Sequence, residues 1–138
     1  MILVDSTVWI AYFNGIRTWQ TDLLDEILDQ EMIAAGDLIL AEVLQGFRSE
    51  QDFKHARHLF SILPCYEMVG IDHAVKSAGN YRILRKQGIT VRKTIDMLIA
   101  TFCISMDLSL LHDDRDFDVM EEHLGLKVEP VEINVIES

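Results

Sequence analysis

Cysteine is scarce in this 138-residue chain, with only Cys65 and Cys103. Two thiols exclude a disulfide framework, and neither has a Cys or His neighbour at metal-finger spacing, so both read as small buried hydrophobes in a reducing compartment. Proline is equally rare: Pro64 and Pro130 are the only two, no Gly/Ser-rich linker interrupts the chain, and no repeat recurs at a fixed period. A single domain over residues 1–138 is therefore expected, of a size usual for one hydrophobic core. No apolar run approaches the roughly 18 residues of a membrane span, and Met1 leads into a short apolar stretch with no basic leader. These absences predict a soluble cytoplasmic protein. Positive charge is the last deficit, with twelve Lys+Arg against twenty-three Asp+Glu and a net charge of −11. A protein that coats nucleic acid by bulk electrostatics is excluded by that imbalance.

Apolar material is plentiful, at 49% of residues, and it is arranged in short runs. Ile2-Leu3-Val4 reads as a buried strand that turns at Asp5-Ser6-Thr7 into a helix. Residues 18–30 carry Leu23, Leu24, Ile27 and Leu28 on one helical stripe, and a brief run at 32–34 follows. Asp37 is expected to cap a helix over 38–47, and a further helix ends at Pro64. Tyr66–Val69 reads as a strand, residues 72–87 as a long helix with Gly88 as its C-cap, and Thr94 as the cap of a helix to Met106. Residues 109–111 then form a strand, 114–123 a helix and 127–131 a last strand. Strands alternating with helices predict an α/β fold, a mostly parallel sheet covered on both faces, with ligands beyond the carboxyl ends of its strands.

Most of the acids sit on solvated helix faces, among them Asp22, Asp25, Glu26, Asp29, Glu121, Glu122, Glu129, Glu132 and Glu137. Asp5, Glu42, Asp96 and the pair Asp114 and Asp116 do not fit that pattern. Asp5 ends an apolar strand, Glu42 and Asp96 interrupt the apolar runs Leu38–Leu44 and Ile95–Ala100, and Asp114 and Asp116 follow Leu110-Leu111. An ionised carboxylate in apolar surroundings is costly unless it is paired or binds a metal. Any one of these could be a cap or an ion-pair partner. Converging at one edge of a parallel sheet, they would repel one another, and a hard divalent cation, Mg²⁺ or Mn²⁺, resolves the conflict with an all-oxygen ligand set.

The segments Asp5–Ile10, Leu40–Gly46, Ile95–Ala100 and Leu110–Phe117, in this order and spacing, resemble the four signatures of PIN-domain ribonucleases, and most closely those of VapC toxins of type II toxin–antitoxin pairs. The resemblance implies a PIN-like three-layer α/β/α sandwich, Mg²⁺-dependent endoribonuclease activity and a VapB-like antitoxin partner. By position it assigns catalysis to Asp5, Glu42, Asp96 and Asp114, and metal binding to Asp5, Asp96, Asp114 and Asp116. Ser6 is expected to orient Asp5 or a metal-bound water. His112 stands where relatives carry a hydroxyl residue, and its imidazole either substitutes as donor to a metal-binding carboxylate or weakens the site. The resemblance further implies a tRNA-class substrate and a homodimer, or a heterotetramer or larger assembly with antitoxin, on a groove or dimer face built from Trp9, Tyr12, Phe13 and the Leu23/Leu24/Ile27 stripe. Core packing is the plainer expectation for most of those residues.

Five of the twelve cations, Arg82, Arg85, Lys86, Arg92 and Lys93, fall in one segment leading to Asp96 and are the candidates for RNA binding. Arg85 and Lys86 would equally complement a helix dipole, which leaves Arg92 and Lys93 as the better phosphate contacts. Three rivals are weaker. A phosphoacceptor receiver domain needs paired acids after its first strand, yet Asp5 is followed by Ser6 and Thr7. A paired-His ribonuclease finds no suitable arrangement among His55, His58, His73, His112 and His123. A catalytically weak PIN-like binding module has only His112 in its favour.

Overall fold

The computed structural model describes residues 1–131, so Glu132 and Glu137 lie outside the described residues. Four short strands, β1 (Ile2–Val4), β2 (Ile33–Gly36), β3 (Cys65–Tyr66) and β4 (Ser109–Leu111), form a sheet in the order β3-β2-β1-β4, and every pairing is parallel. Leu3 faces Ala34 on one side and Leu110 on the other, and all three are fully buried. Burial on both faces explains why these strands read as continuous apolar runs rather than alternating ones.

Helices α1 (Ser6–Phe13) and α2 (Trp19–Ile27) connect β1 to β2, and α3 (Asp37–Leu44) and α4 (Glu50–Ile62) connect β2 to β3. The return from β3 past β2 and β1 to β4 runs through α5 (Ile71–Lys86) and α6 (Thr94–Met106). Crossovers between parallel strands are right-handed, so the change of direction puts α5 and α6 on the face opposite α1 to α4. Packing agrees: α1 touches α2 and α3, α3 touches α4, and α5 pairs with α6. The result is the three-layer α/β/α sandwich, with its switch of direction between β1 and β4.

Trp9 is core and not groove: it is fully buried against Phe60, with ring centroids 4.9 Å apart, and Leu24 and Ile27 are buried with it. Cys103 is buried as expected, whereas Cys65 on edge strand β3 is exposed, and both thiols are free.

Several boundaries move for identifiable reasons. Asp37 is the first residue of α3 and not its cap, because its carboxylate accepts the N–H of Leu38 and that of Met68 at 3.0 Å. Met68 therefore leaves the ladder and β3 stops at Tyr66. A side chain on Gly36 would collide with the Met68 sulfur, so the end of β2 requires glycine. Thr94 likewise opens α6 without capping it, and the residue in the cap position is Lys93. The helix expected over 114–123 is split: Asp114 caps a 3-10 turn over Arg115–Phe117, and α7 covers Asp118–Leu124. The last strand shrinks to one parallel bridge between Leu110 and Val128, followed by Pro130, which has no N–H to extend a ladder. Among the described residues no helix is long and apolar enough to cross a membrane.

Candidate active site

Asp5 leaves β1 and caps α1, and its backbone N–H donates to the Leu111 carbonyl at 2.9 Å, which holds the ends of β1 and β4 side by side. The Thr7 hydroxyl donates to the Asp5 carboxylate at 2.6 Å, and the Thr7 N–H donates to the same oxygen at 3.2 Å. That hydroxyl also accepts the backbone N–H of Asp113 at 3.1 Å. One side chain thus ties the first acid to the loop carrying the last ones. Burial pushes the Asp5 carboxyl above its ordinary range, against the pull of the hydrogen bonds from Thr7.

Asp96 lies in the first turn of α6 and is only 5% exposed. Its Oδ2 is buried and has no hydrogen-bond partner among the described residues. Burial first, and then the charge of Asp5, raise its pKa to about 6, with Asp114 and Glu42 adding to the rise and Lys93 opposing it. Oxygens of Asp96, Asp114 and Asp116 lie within 4.8 Å of one another. The Asp114 carboxylate caps the 3-10 turn by accepting the Asp116 N–H at 2.9 Å, which fixes these two acids relative to each other. Glu42, half-buried on α3, is also raised, by burial and then by Asp5, while the Ser6 hydroxyl and Lys93 pull it down.

Three clustered carboxylates, one of them with an orphaned buried oxygen, form a donor set that fits a hard divalent cation. An anionic oxygen buried without a donor is expensive, and a bound divalent cation would offset that cost. Asp96, Asp114 and Asp116 would hold the cation, with the charges of Asp5 and Glu42 alongside. Asp5 belongs to no group of three acids this close among the described residues; one of its oxygens is bonded by Thr7, and its charge still acts on Asp96.

Two supporting roles are distributed differently from the sequence expectation. The hydroxyl that bonds Asp5 comes from Thr7, while Ser6 meets Asp5 through its backbone N–H and Glu42 through its side chain. The His112 ring does not donate through Nδ1, which instead accepts the Asp114 N–H at 3.2 Å, and its face packs on Phe117 at 5.0 Å. It thereby shapes the backbone that presents Asp114. The spacing of a hydroxyl two residues after Asp5 is a local side-chain-to-backbone turn pattern and was the legible signal for Thr7.

The basic strip does not act as one patch. Lys93 is the member that reaches the acids, with its Nζ 3.9 Å from Asp114. Arg92 and Lys86 are exposed, and Arg82 and Arg85 line a cavity of about 450 Å³ between α5 and α6, with the Arg85 guanidinium 5.8 Å from the Tyr81 ring centre.

Thr7→Val keeps the side-chain shape but removes both hydroxyl bonds. We expect divalent-cation affinity to fall about tenfold or more and Thr7→Ser to restore it. Titration calorimetry with Mn²⁺ on the two variants checks this, and equal affinities for Val and wild type would remove Thr7 from the site.

Residues 2–122 match the family described as PIN domain. Ribonuclease VapC11 of Mycobacterium tuberculosis is 32% identical over 132 residues, covering 92% of this chain and 96% of that protein, and a VapC ribonuclease of Mycobacterium bovis matches to the same degree. The fold is shared with VapBC2 from Rickettsia felis, solved bound to a DNA fragment from its promoter, at a TM-score of 0.74 with 18% identity over 94% of this chain and 98% of that one. It is also similar to VapC20 of M. tuberculosis, described as a sarcin-ricin loop cleaving toxin, at a TM-score of 0.62 with 12% identity over 86% of this chain and 94% of that one. With the acid cluster at the β1/β4 switch point and a third of the sequence shared along nearly its whole length, the chain belongs to the PIN-domain family, among the VapC ribonucleases.

Proposed function

We propose that this protein is the Mg²⁺-dependent toxin of a VapBC-type module, one PIN unit over residues 1–138 that hydrolyses phosphodiester bonds in tRNA or another structured RNA in the cytoplasm. The observation that carries the reading is the unpartnered Oδ2 of buried Asp96 beside Asp114 and Asp116. An all-oxygen set favours Mg²⁺, with Mn²⁺ as a substitute. When bound, such a cation lowers the pKa of a water and offsets the charge that develops on the phosphate.

The chain's own residues position and screen the reacting groups. Asp96, Asp114 and Asp116 supply the negative cradle, and Thr7 holds Asp5 and the Asp113 backbone in register. Lys93, beside Asp114, is placed to meet a backbone phosphate as it approaches. Attack by water rather than by the ribose 2′-hydroxyl leaves a 3′-hydroxyl and a 5′-phosphate, with no 2′,3′-cyclic product.

A VapB-like antitoxin is supported by the relatives solved as VapBC, and the chemistry of the site suits a cationic antitoxin side chain. A homodimer is supported by the α5 face, where Ile71 and Val75 are 84% and 67% exposed next to the cavity lined by Ala74, Ala78 and Leu98. Light scattering is expected to give twice the monomer mass, with Val75→Glu reverting it to monomer.

Labelled tRNA incubated with the protein should be cut in Mg²⁺ and left intact in EDTA, with 5′-phosphate ends on the products. Cutting that persists in EDTA, or cyclic-phosphate ends, would sink the metal-dependent reading.

A further inference from the structure

Trp19 is an unusual surface residue: a large aromatic ring that is 51% exposed, on the first residue of α2. Its backbone is rigid, because Thr18 and Thr21 form a reciprocal capping box, with Thr18 N–H to Thr21 Oγ1 at 2.8 Å and Thr21 N–H to Thr18 Oγ1 at 3.1 Å. The Thr21 hydroxyl also donates to the Ile16 carbonyl at 3.0 Å, anchoring the incoming loop. The ring is therefore presented on a fixed platform.

That platform borders the acid cluster. Trp19 and Gln20 share an open cavity of about 270 Å³ with His112, Asp114 and Arg115, and with Asp118 and Glu121 of α7. Ligand pockets usually span about 300–1,000 Å³, so this one suits a single heterocycle. The cavity borders the proposed metal site, since Asp114 both lines it and belongs to the acid cluster. Arg115 is exposed and makes no ion pair among the described residues, although acids surround it.

We propose that this cavity is a subsite for one unpaired base of the RNA, stacked on Trp19 and next to the phosphodiester that is cut. The inference rests on the ribonuclease reading and adds to it where the substrate is gripped. Acids outnumber the single cation Arg115 in the lining, which disfavours a phosphate there, and the carboxylates of Asp118 and Glu121 accept hydrogen bonds only, which favours the donor-bearing edge of a base. Guanine offers N1–H and N2–H side by side, whereas uracil flanks its single N3–H with two carbonyls. Guanine is thus the preferred occupant. Exposed bases of single-stranded loops are the parts of an RNA that can be splayed onto an aromatic ring in this way.

Fluorescence supplies a direct test, since Trp9 is fully buried and Trp19 is the other of the two tryptophans. In the non-cleaving Asp96→Asn background, hexauridylate with one central guanine should quench emission, and the same oligonucleotide with an abasic site there should bind about tenfold more weakly. In the active protein, Trp19→Ala should raise KM for RNA cleavage about tenfold, and Trp19→Phe, which keeps a stacking face, should recover most of the loss. Circular dichroism melts confirm that the variants are folded.

Equal affinity for the guanine and abasic oligonucleotides, or an unchanged KM for Trp19→Ala, would overturn the subsite. Normal RNA cleavage by Trp19→Ala together with lost inhibition by the antitoxin would also overturn it, and would assign the ring to protein docking. Failure of the unmutated protein to cut RNA at all would count against the ribonuclease reading, and the fluorescence titration would still decide whether a base occupies the cavity.

Discussion

Replacing Asp96 with Asn is expected to lower kcat for RNA cleavage by about three orders of magnitude while raising the melting temperature of the metal-free protein at pH 7.5. The first effect follows from removing an oxygen of the proposed metal site, where a cation would supply several kcal/mol of charge stabilisation; about 4 kcal/mol corresponds to roughly a thousandfold. The second follows from the same carboxylate being out of place without its cation. Burial and the charges of Asp5, Asp114 and Glu42 hold its pKa at about 6 against an ordinary 3.8, a cost of about 3 kcal/mol at neutral pH. Asparagine carries no charge and escapes most of that cost, although its amide inherits the unpartnered position. Opposite movements of activity and stability are hard to obtain from a merely structural residue. A variant that lost activity and stability together would point to a packing role, and one that cut RNA normally would remove Asp96 from the mechanism. Single-turnover cleavage and melts in EDTA measure the two effects.

Divalent cation and pH should act on the same acids in a linked way. Asp96 holds its proton up to about pH 6 when folded and releases it near 3.8 when unfolded, so between those values the folded state binds more protons. Stability contributed by this protonation is therefore present in mild acid and lost as pH rises through about 6. Asp5 and Glu42, also raised by burial, act in the same direction. From Asp96 alone, metal-free protein should gain about 1 kcal/mol between pH 7.5 and pH 5, or about 4 °C in Tm for a chain of this size.

Adding Mg²⁺ or Mn²⁺ reverses the trend, because a cation that binds only the folded state stabilises it by about 2.7 kcal/mol at a hundred times its Kd. Protons compete for the same oxygens, so the cation-induced rise in Tm should be larger at pH 7.5 than at pH 5. Differential scanning fluorimetry over pH 5 to 8, with EDTA and with each cation, reads all of this in one grid. A Tm in EDTA that is flat across that range, with no cation effect at pH 7.5, would remove the metal site.

Much of the architecture is legible along the chain because its causes are local. Ile2-Leu3-Val4 and Leu110-Leu111 are short apolar runs, the mark of strands covered on both faces, and the helices of residues 19–27 and 94–106 follow their apolar spacing. The odd acids are legible for the same reason, since a carboxylate within an apolar run advertises its own desolvation. Boundaries shift where a side chain bonds across the fold, as when Asp37 takes the Met68 N–H from the ladder and Asp114 turns the start of a helix into a capped 3-10 turn.

Identity and order of the acidic residues were thus written in local sequence, whereas their division of labour was not. That Asp96, Asp114 and Asp116 cluster while Asp5 turns to Thr7 depends on the register that sets Val4 opposite Leu111 and brings residue 7 to residue 113. The same holds for the cations: five lie together in the chain, yet the path around α5 and α6 delivers Lys93 to the acids and turns Arg82 and Arg85 to another cavity. Nothing local in the sequence marks Trp19. Its place in a cavity with Asp114 comes with the packing of α2 on α1, and contacts between residues nearly a hundred positions apart are decided only when the chain has folded.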